Sequence, residues 1–241
     1  MENWNLRPAR DLGLAPLDRL RSLGREQGLA GLALNTSWRK AVRAYLAAFH
    51  RFRVTGRENL PMEPPFVLVA NHASHLDALA LAAALRGLPA RRAHAMAAGE
   101  LFFGGPARSV LAAYAINALP VWRGRSRRTD LGTMRARLAE DALVYILFPE
   151  GTRSRTGAMG RFLPGIGALV AGGTVPVVPC YLEGAHAAWP AGRRWPRPGP
   201  LRLRIGPPLD FAATTDDKAG WMEVARRCEE AVRALSPPAP P

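Results

Sequence analysis

Two apolar runs, Pro65-Phe66-Val67-Leu68-Val69-Ala70 and Leu143-Val144-Tyr145-Ile146-Leu147-Phe148, each lead directly into a compact block of polar residues. Short continuous apolar runs bounded by turn formers read as strands buried on both faces, which requires a sheet covered by helices on either side. Asp77 to Leu85 reads as an apolar helix ended by Gly87 and Pro89, so the first polar block sits at a strand-to-helix junction. An α/β sheet presents its ligand-binding groups there, beyond the carboxyl ends of its strands.

The rest of the chain continues this alternation. Phe52 and Val54 suggest a short strand, Ser109 to Ala115 a helix, Leu119 to Trp122 a strand delivering Arg123, and Thr129 to Ala139 a helix. Thr174 to Leu182 reads as a buried strand, while the alternation of Leu201-Arg202-Leu203-Arg204-Ile205 predicts a half-exposed edge strand. Trp221, Val224, Ala225, Cys228, Val232 and Leu235 trace one face of a closing helix. Residues 236–241 form a proline-rich tail expected to be disordered.

Residues 1–51 differ from the remainder. After an irregular start, a basic helical region is expected over roughly 15–50. From Trp38 the apolar residues Val42, Tyr45, Leu46 and Phe49 follow helical steps, with Arg39, Lys40 and Arg43 between them. Such a helix either packs its apolar face on the core or lies in a membrane interface, with arginines near lipid phosphates.

At 241 residues the chain suits one domain with embellishments. Its net charge of +14 comes almost wholly from arginine, since Lys40 and Lys218 are its only lysines. That balance favours anionic lipid surfaces or nucleic acid, but no nucleic-acid module accompanies it, and no nucleic-acid partner is expected. Cys180 and Cys228 stand far apart, in no metal-ligand spacing, which fits a reducing compartment with neither disulfide framework nor zinc. No apolar leader with a small-residue cleavage site is visible, and the chain is not expected to be exported. The uncharged stretch from Phe162 to Leu182 is broken by Pro164, Gly165, Gly167, Gly172, Gly173, Pro176 and Pro179, so it suits a loop, a short helix and a strand.

The first polar block, Asn71-His72-Ala73-Ser74-His75-Leu76-Asp77, offers a base and a carboxylate to orient it. Spacing alone leaves His72 and His75 both open as the base. Gly-x-Ser-x-Gly occurs nowhere, which argues that the attacking hydroxyl belongs to a substrate and that no acyl-enzyme forms. The second block, Phe148-Pro149-Glu150-Gly151-Thr152-Arg153-Ser154, places a flexible glycine beside a hydroxyl and a guanidinium, a set able to surround a phosphate. Arg123 can add a second cation. Glu150 either binds a glycerol hydroxyl or fixes the loop. Arg125, Arg127, Arg128, Arg153 and Arg155 read equally as a solvated basic face.

Taken together, four ordered blocks resemble the glycerolipid acyltransferases typified by bacterial 1-acylglycerol-3-phosphate acyltransferase. The first is the His-x4-Asp block at His72 and Asp77, and the second is Leu119-Pro120-Val121-Trp122-Arg123. Phe148 to Ser154 supplies the third, and Val175-Pro176-Val177-Val178-Pro179 the fourth. The resemblance implies a mixed central sheet flanked by helices, with an acyltransferase domain over 52–235. It implies that His72 is the base and that Asp77 orients it. Arg123, Glu150, Gly151, Thr152, Arg153 and Ser154 would hold the acceptor, and the fourth block would help form an acyl channel. It also implies an acyl-CoA or acyl-carrier-protein donor, no cofactor or metal, a lysophospholipid acceptor, and work at the cytoplasmic face of the plasma membrane.

Two departures stand out. Phe162-Leu163-Pro164-Gly165 lacks the lysine that this family often has after the third block, and the second block lacks the usual Phe-Ile-Asp before its arginine. Both bear on the acceptor's identity more than on the reaction, leaving open a different lysophospholipid or an amino-acid lipid. Thioester hydrolysis and a non-enzymatic basic module are the rival readings.

Overall fold

The structure is a computed structural model that describes residues 9–26, 28–98, 105, 109–110, 112–113, 117–121 and 127–237. Helices α1 (Pro16–Arg21) and α2 (Leu29–His50) lead into strand β1 (Arg53–Thr55). Then follow β2 (Phe66–Ala70), α3 (Asp77–Ala84), α4 (Gly87–Arg91), β3 (Ala93–Ala98) and β4 (Leu119–Val121). The second half contains α5 (Arg127–Glu140), β5 (Val144–Leu147), α6 (Gly165–Val170), β6 (Val177–Glu183), α7 (Ala185–Ala188), β7 (Arg202–Ile205) and α8 (Lys218–Ala234).

The seven strands form one sheet in the order β1-β7-β6-β2-β5-β3-β4. Only β6 and β7 pair antiparallel, so the sheet is mixed, as the resemblance implies. Every residue of β2 is buried, and its side chains divide between two cores. Phe66, Leu68 and Ala70 pack with residues of α2 and α3, whereas Val67 and Val69 pack with residues of α5, α6 and α8. Alternation on a two-sided strand thus produces the two faces of the sheet. Because β5, β2 and β6 are neighbours and parallel, their carboxyl ends open on one edge.

Three expectations change. The basic helical region is not continuous but breaks into α1 and α2 around Gly24 and Gly28. β7 is not an edge strand: it lies between β1 and β6, and its alternation reports one solvated face, where Arg202 and Arg204 pair with Glu183. β3 was not expected at all, since Ala93-His94-Ala95-Met96-Ala97-Ala98 lacks the β-branched residues that mark strands. The expected helix over 109–115 is described only at 109–110 and 112–113, which are helical. Of the tail, 238–241 lie outside the described residues.

The apolar face of α2 serves in two ways. Val42 and Leu46 are buried in the core, while Leu34, Trp38 and Phe49 remain 58%, 40% and 55% exposed. α8 is capped by Asp217, whose Oδ1 accepts from the Gly220 amide at 2.8 Å. Its backbone passes so close to α6 that a Cβ at Gly167 would lie 2.2 Å from Trp221 Cα. Gly167→Ala is therefore expected to force the two helices apart and cost about 1–3 kcal/mol, read as a lower urea midpoint. An unchanged midpoint would contradict the tight contact.

Candidate active site

The first polar block continues from the last residue of β2. Asn71 extends the strand with its side chain, its Nδ2 donating to Leu182 O at 3.1 Å and its Oδ1 accepting from Leu182 N at 2.8 Å. This amide imitates a backbone pair and ties the end of β2 to β6. Sequence reading assigned Asn71 no role, although the residue opens the motif.

The chain then turns sharply so that Asp77, the first residue of α3, points back at it. Asp77 Oδ2 accepts from the amides of Ala73 at 2.7 Å and Ser74 at 2.8 Å, and lies 2.7 Å from His72 Nδ1. With a carboxylate at Nδ1, the proton of the neutral ring belongs on Nδ1, which leaves Nε2 as a base with a free lone pair. Nε2 has no hydrogen-bond partner among the described residues. Phe148 stacks on the ring, centroid to centroid at 4.1 Å and 15° between planes. The imidazole is thus fixed by a carboxylate at its edge and an aromatic face, while its side chain stays 22% exposed.

His75, equal to His72 on spacing, faces elsewhere. An Arg153 guanidinium nitrogen lies 2.7 Å from both His75 ring nitrogens, so either neutral tautomer offers it an acceptor. Trp189 packs against the same ring at 4.9 Å, and Trp189 O accepts from the His75 amide at 3.2 Å and from Ser74 Oγ at 2.8 Å. Burial and the neighbouring Arg153 hold His75 below the usual histidine range. A neutral His75 keeps its acceptor for Arg153.

The second block starts where β5 ends and is laced to the first. Glu150 Oε1 accepts from the His72 amide at 2.7 Å, Oε2 accepts from the Gly160 amide at 2.9 Å, and Ser154 N donates to His72 O at 2.7 Å. Both backbone polar groups of His72 are therefore held by this loop. Each carboxylate oxygen of Glu150 serves a backbone amide, which is the geometry of its loop-fixing reading. Burial pushes its carboxyl above the usual range, opposed by those two bonds.

Gly151 adopts φ +70°, and a Cβ there would sit 2.9 Å from Leu163 Cδ1, so this turn favours glycine on both counts. Thr152 is exposed at the loop's outer rim. Ser154 Oγ accepts from the Gly157 amide at 3.0 Å and closes the far side of the loop. Arg153 is half-buried, and that burial lowers its pKa against the opposing effect of Asp77. Arg123 lies outside the described residues, as does Arg125. The strand before it, β4, forms one edge of the sheet.

A strand-end histidine bonded to the buried carboxylate five positions later, beside a Gly-Thr-Arg loop at the next strand's end, decides the comparison. A family model described as Acyltransferase matches residues 51–183, which contain both polar blocks. The chain belongs to the acyltransferase family.

Relatives within and around it agree. The 1-acyl-sn-glycerol-3-phosphate acyltransferase alpha of Mus musculus is 30% identical over 173 residues, 69% of this chain and 58% of that protein. The 1-acyl-sn-glycerol-3-phosphate acyltransferase of Limnanthes douglasii is 40% identical over 81 residues, 34% of this chain and 29% of that protein. The chain therefore spans 58% or less of the length of these two curated relatives. The solved 1-acyl-sn-glycerophosphate acyltransferase of Thermotoga maritima shares the fold with a TM-score of 0.60 at 23% identity, over 85% of this chain and 80% of that one.

In this member of the family, the carboxylate of Glu150 ties the first block to the loop of the second. Glu150→Ala leaves the His72 and Gly160 amides without their acceptor, at about 1–3 kcal/mol each. The expected result is a lower melting temperature with faster amide exchange over residues 150–160. Wild-type exchange across that loop would refute the tether.

Proposed function

We propose that this acyltransferase moves a fatty acyl group from an acyl thioester to a hydroxyl of a lysophospholipid-type acceptor. The favoured acceptor is 1-acylglycerol 3-phosphate, with phosphatidate as product. The observation that carries the proposal is the 2.7 Å contact of His72 Nδ1 with Asp77, which leaves Nε2 unpartnered beside the loop of Arg153.

In this reading the acceptor hydroxyl gives its proton to His72 Nε2 as its oxygen bonds to the thioester carbonyl carbon. Asp77 stabilises the imidazolium that forms. The tetrahedral intermediate then collapses, the carbon–sulfur bond breaks, and the imidazolium proton passes to the departing thiolate. Ester and free thiol result, with no acyl-enzyme and no cofactor.

Arg153 would hold the acceptor's phosphate with its fork of donors, aimed by His75, and Arg123 would add a second cation. Gly151, Thr152 and Ser154 would shape the pocket. For Glu150 the proposal is indirect, since it keeps this loop at the correct height against His72. Holding both substrates against one base can supply on the order of 7–11 kcal/mol of the acceleration. The donor is acyl-CoA or acyl-carrier protein.

The lipid substrate calls for work at a bilayer surface. Among the described residues no helix is long and apolar enough to cross a membrane. Leu34, Trp38 and Phe49 give α2 an exposed apolar stripe, and the loop bonded to Phe49 through Gly199 carries Trp195, 69% exposed beneath Arg194. Aromatic rings and arginines in this arrangement suit a headgroup interface. We place the enzyme peripherally on the cytoplasmic face, where thioester donors are found.

The test is purified His72→Ala protein, with its fold checked by circular dichroism, given acyl-CoA or acylated carrier protein and a panel of lysophosphatidate, lysophospholipids, glycerol 3-phosphate and lyso-aminolipids. Transfer should fall by at least about 100-fold. Substantial transfer by this variant, or free thiol release by wild type without any acceptor, would contradict the mechanism.

A further inference from the structure

At the end of α3 opposite Asp77, arginines collect without a carboxylate partner among the described residues. The carbonyls of Ala83, Ala84 and Leu85 close that helix, and two arginines from separate elements bond to them. From α2, Arg43 donates Nε to Ala83 O at 3.1 Å and Nη2 to Leu85 O. From the short 3-10 turn Arg57–Asn59, Arg57 donates Nη1 to Ala84 O. Shared carbonyls thereby bring two guanidiniums side by side. Arg86 follows in sequence, and with Arg57 it lines a cleft whose apolar walls include Leu60, Pro61, Met62, Leu85 and Pro89.

The cluster extends along α2. Arg39, one turn before Arg43 on α2, feels the charges of Arg43 and Arg91, and its Nη1 is buried without a hydrogen-bond partner among the described residues. Burial and then Arg86 lower the pKa of Arg43 and Arg57, while burial and then Arg43 lower that of Arg39. A helix carboxyl end carries only about half a negative charge. It cannot balance five guanidiniums, and none of the five forms an ion pair among the described residues. The cations repel one another, and an anion placed among them adds attractions that offset this repulsion.

We infer that the cleft between Arg57 and Arg86, backed by Arg43, binds a phosphate group at a site separate from the acceptor loop. Guanidinium forks match phosphate oxygens in pairs, and Arg43 and Arg57 are already immobilised by their carbonyl bonds, so little freedom is lost on binding. Eight residues of α3 set the site about 12 Å from Asp77. The apolar walls next to the cations suit a phosphate carrying an apolar group, as in an anionic phospholipid headgroup, though a free phosphate ion offers the same oxygens. Nothing here depends on acyl transfer.

The experiment uses full-length Arg153→Ala protein, which removes the proposed acceptor phosphate site, titrated with inorganic phosphate by calorimetry. Adding Arg86→Ala, an exposed side chain with no hydrogen bond of its own among the described residues, should weaken phosphate binding about tenfold, the value of one charged hydrogen bond. Adding Lys218→Ala instead removes the same charge from the exposed start of α8, which packs on the other face of the sheet, and should change affinity less than about twofold.

Sedimentation with phosphatidylglycerol–phosphatidylcholine vesicles separates the sources. If the ligand is a headgroup, Arg86→Ala weakens vesicle binding more than Lys218→Ala does, and inorganic phosphate competes. If it is free phosphate, the two variants sediment alike while the calorimetric difference remains. Equal behaviour of the two variants in both measurements overturns the site.

Discussion

The active edge of this protein depends on two hydrogen bonds to one residue's backbone. The amide of His72 is accepted by Glu150 and its carbonyl is met by the amide of Ser154, so a loop distant in sequence grips the residue that would do the chemistry. Register explains the meeting. Val69 pairs with Leu147 across β2 and β5, which puts His72 and Glu150 the same three residues beyond the last rung. On the other side Asn71 fastens the strand to β6. Three parallel neighbours are thus tied together just past their ends, where backbone groups would otherwise lack partners.

Upon that frame the side chains divide their tasks by contact. Asp77 gathers two amides and one imidazole on a single oxygen, which sets the ring of His72, while the hydroxyls of Ser74 and Ser154 in the same two blocks are bonded to Trp189 O and to the Gly157 amide. His75, identical in chemistry and three residues away, is turned against Trp189 and Arg153. Two histidines in one short block therefore part company, one edge-on to a carboxylate and the other beside a guanidinium. Their environments, and not their positions in the motif, make one suitable as a base and the other as a support.

Much of this could be read before any coordinates. Strands β2 and β5 were legible because continuous apolar runs admit few alternatives, and the two polar blocks fall at their ends as expected. α8 announced itself by helical spacing. β3 stayed hidden because alanine carries neither period nor β preference, and its place depends on pairing with β5. The position of β7 was misread because alternation shows that one face is wet without showing how many neighbours a strand has. Glu150 and Asn71 bond to backbone groups 78 and 111 residues away, and such partners leave no trace in local sequence. Spacing alone left His72 and His75 both open and the resemblance named His72; what neither specified is the direction of Asp77, whose Oδ2 lies 2.7 Å from His72 Nδ1.

The central claim is that Asp77 holds His72 as the Nδ1–H tautomer with an unprotonated Nε2. Nitrogen-15 NMR of labelled imidazoles at neutral pH, assigned by comparison with His72→Ala, tests this directly. The account predicts a protonated Nδ1 and an unprotonated Nε2 for His72, with that preference lost in Asp77→Ala. A proton on Nε2 in the resting protein, or a pattern indifferent to Asp77, would contradict it.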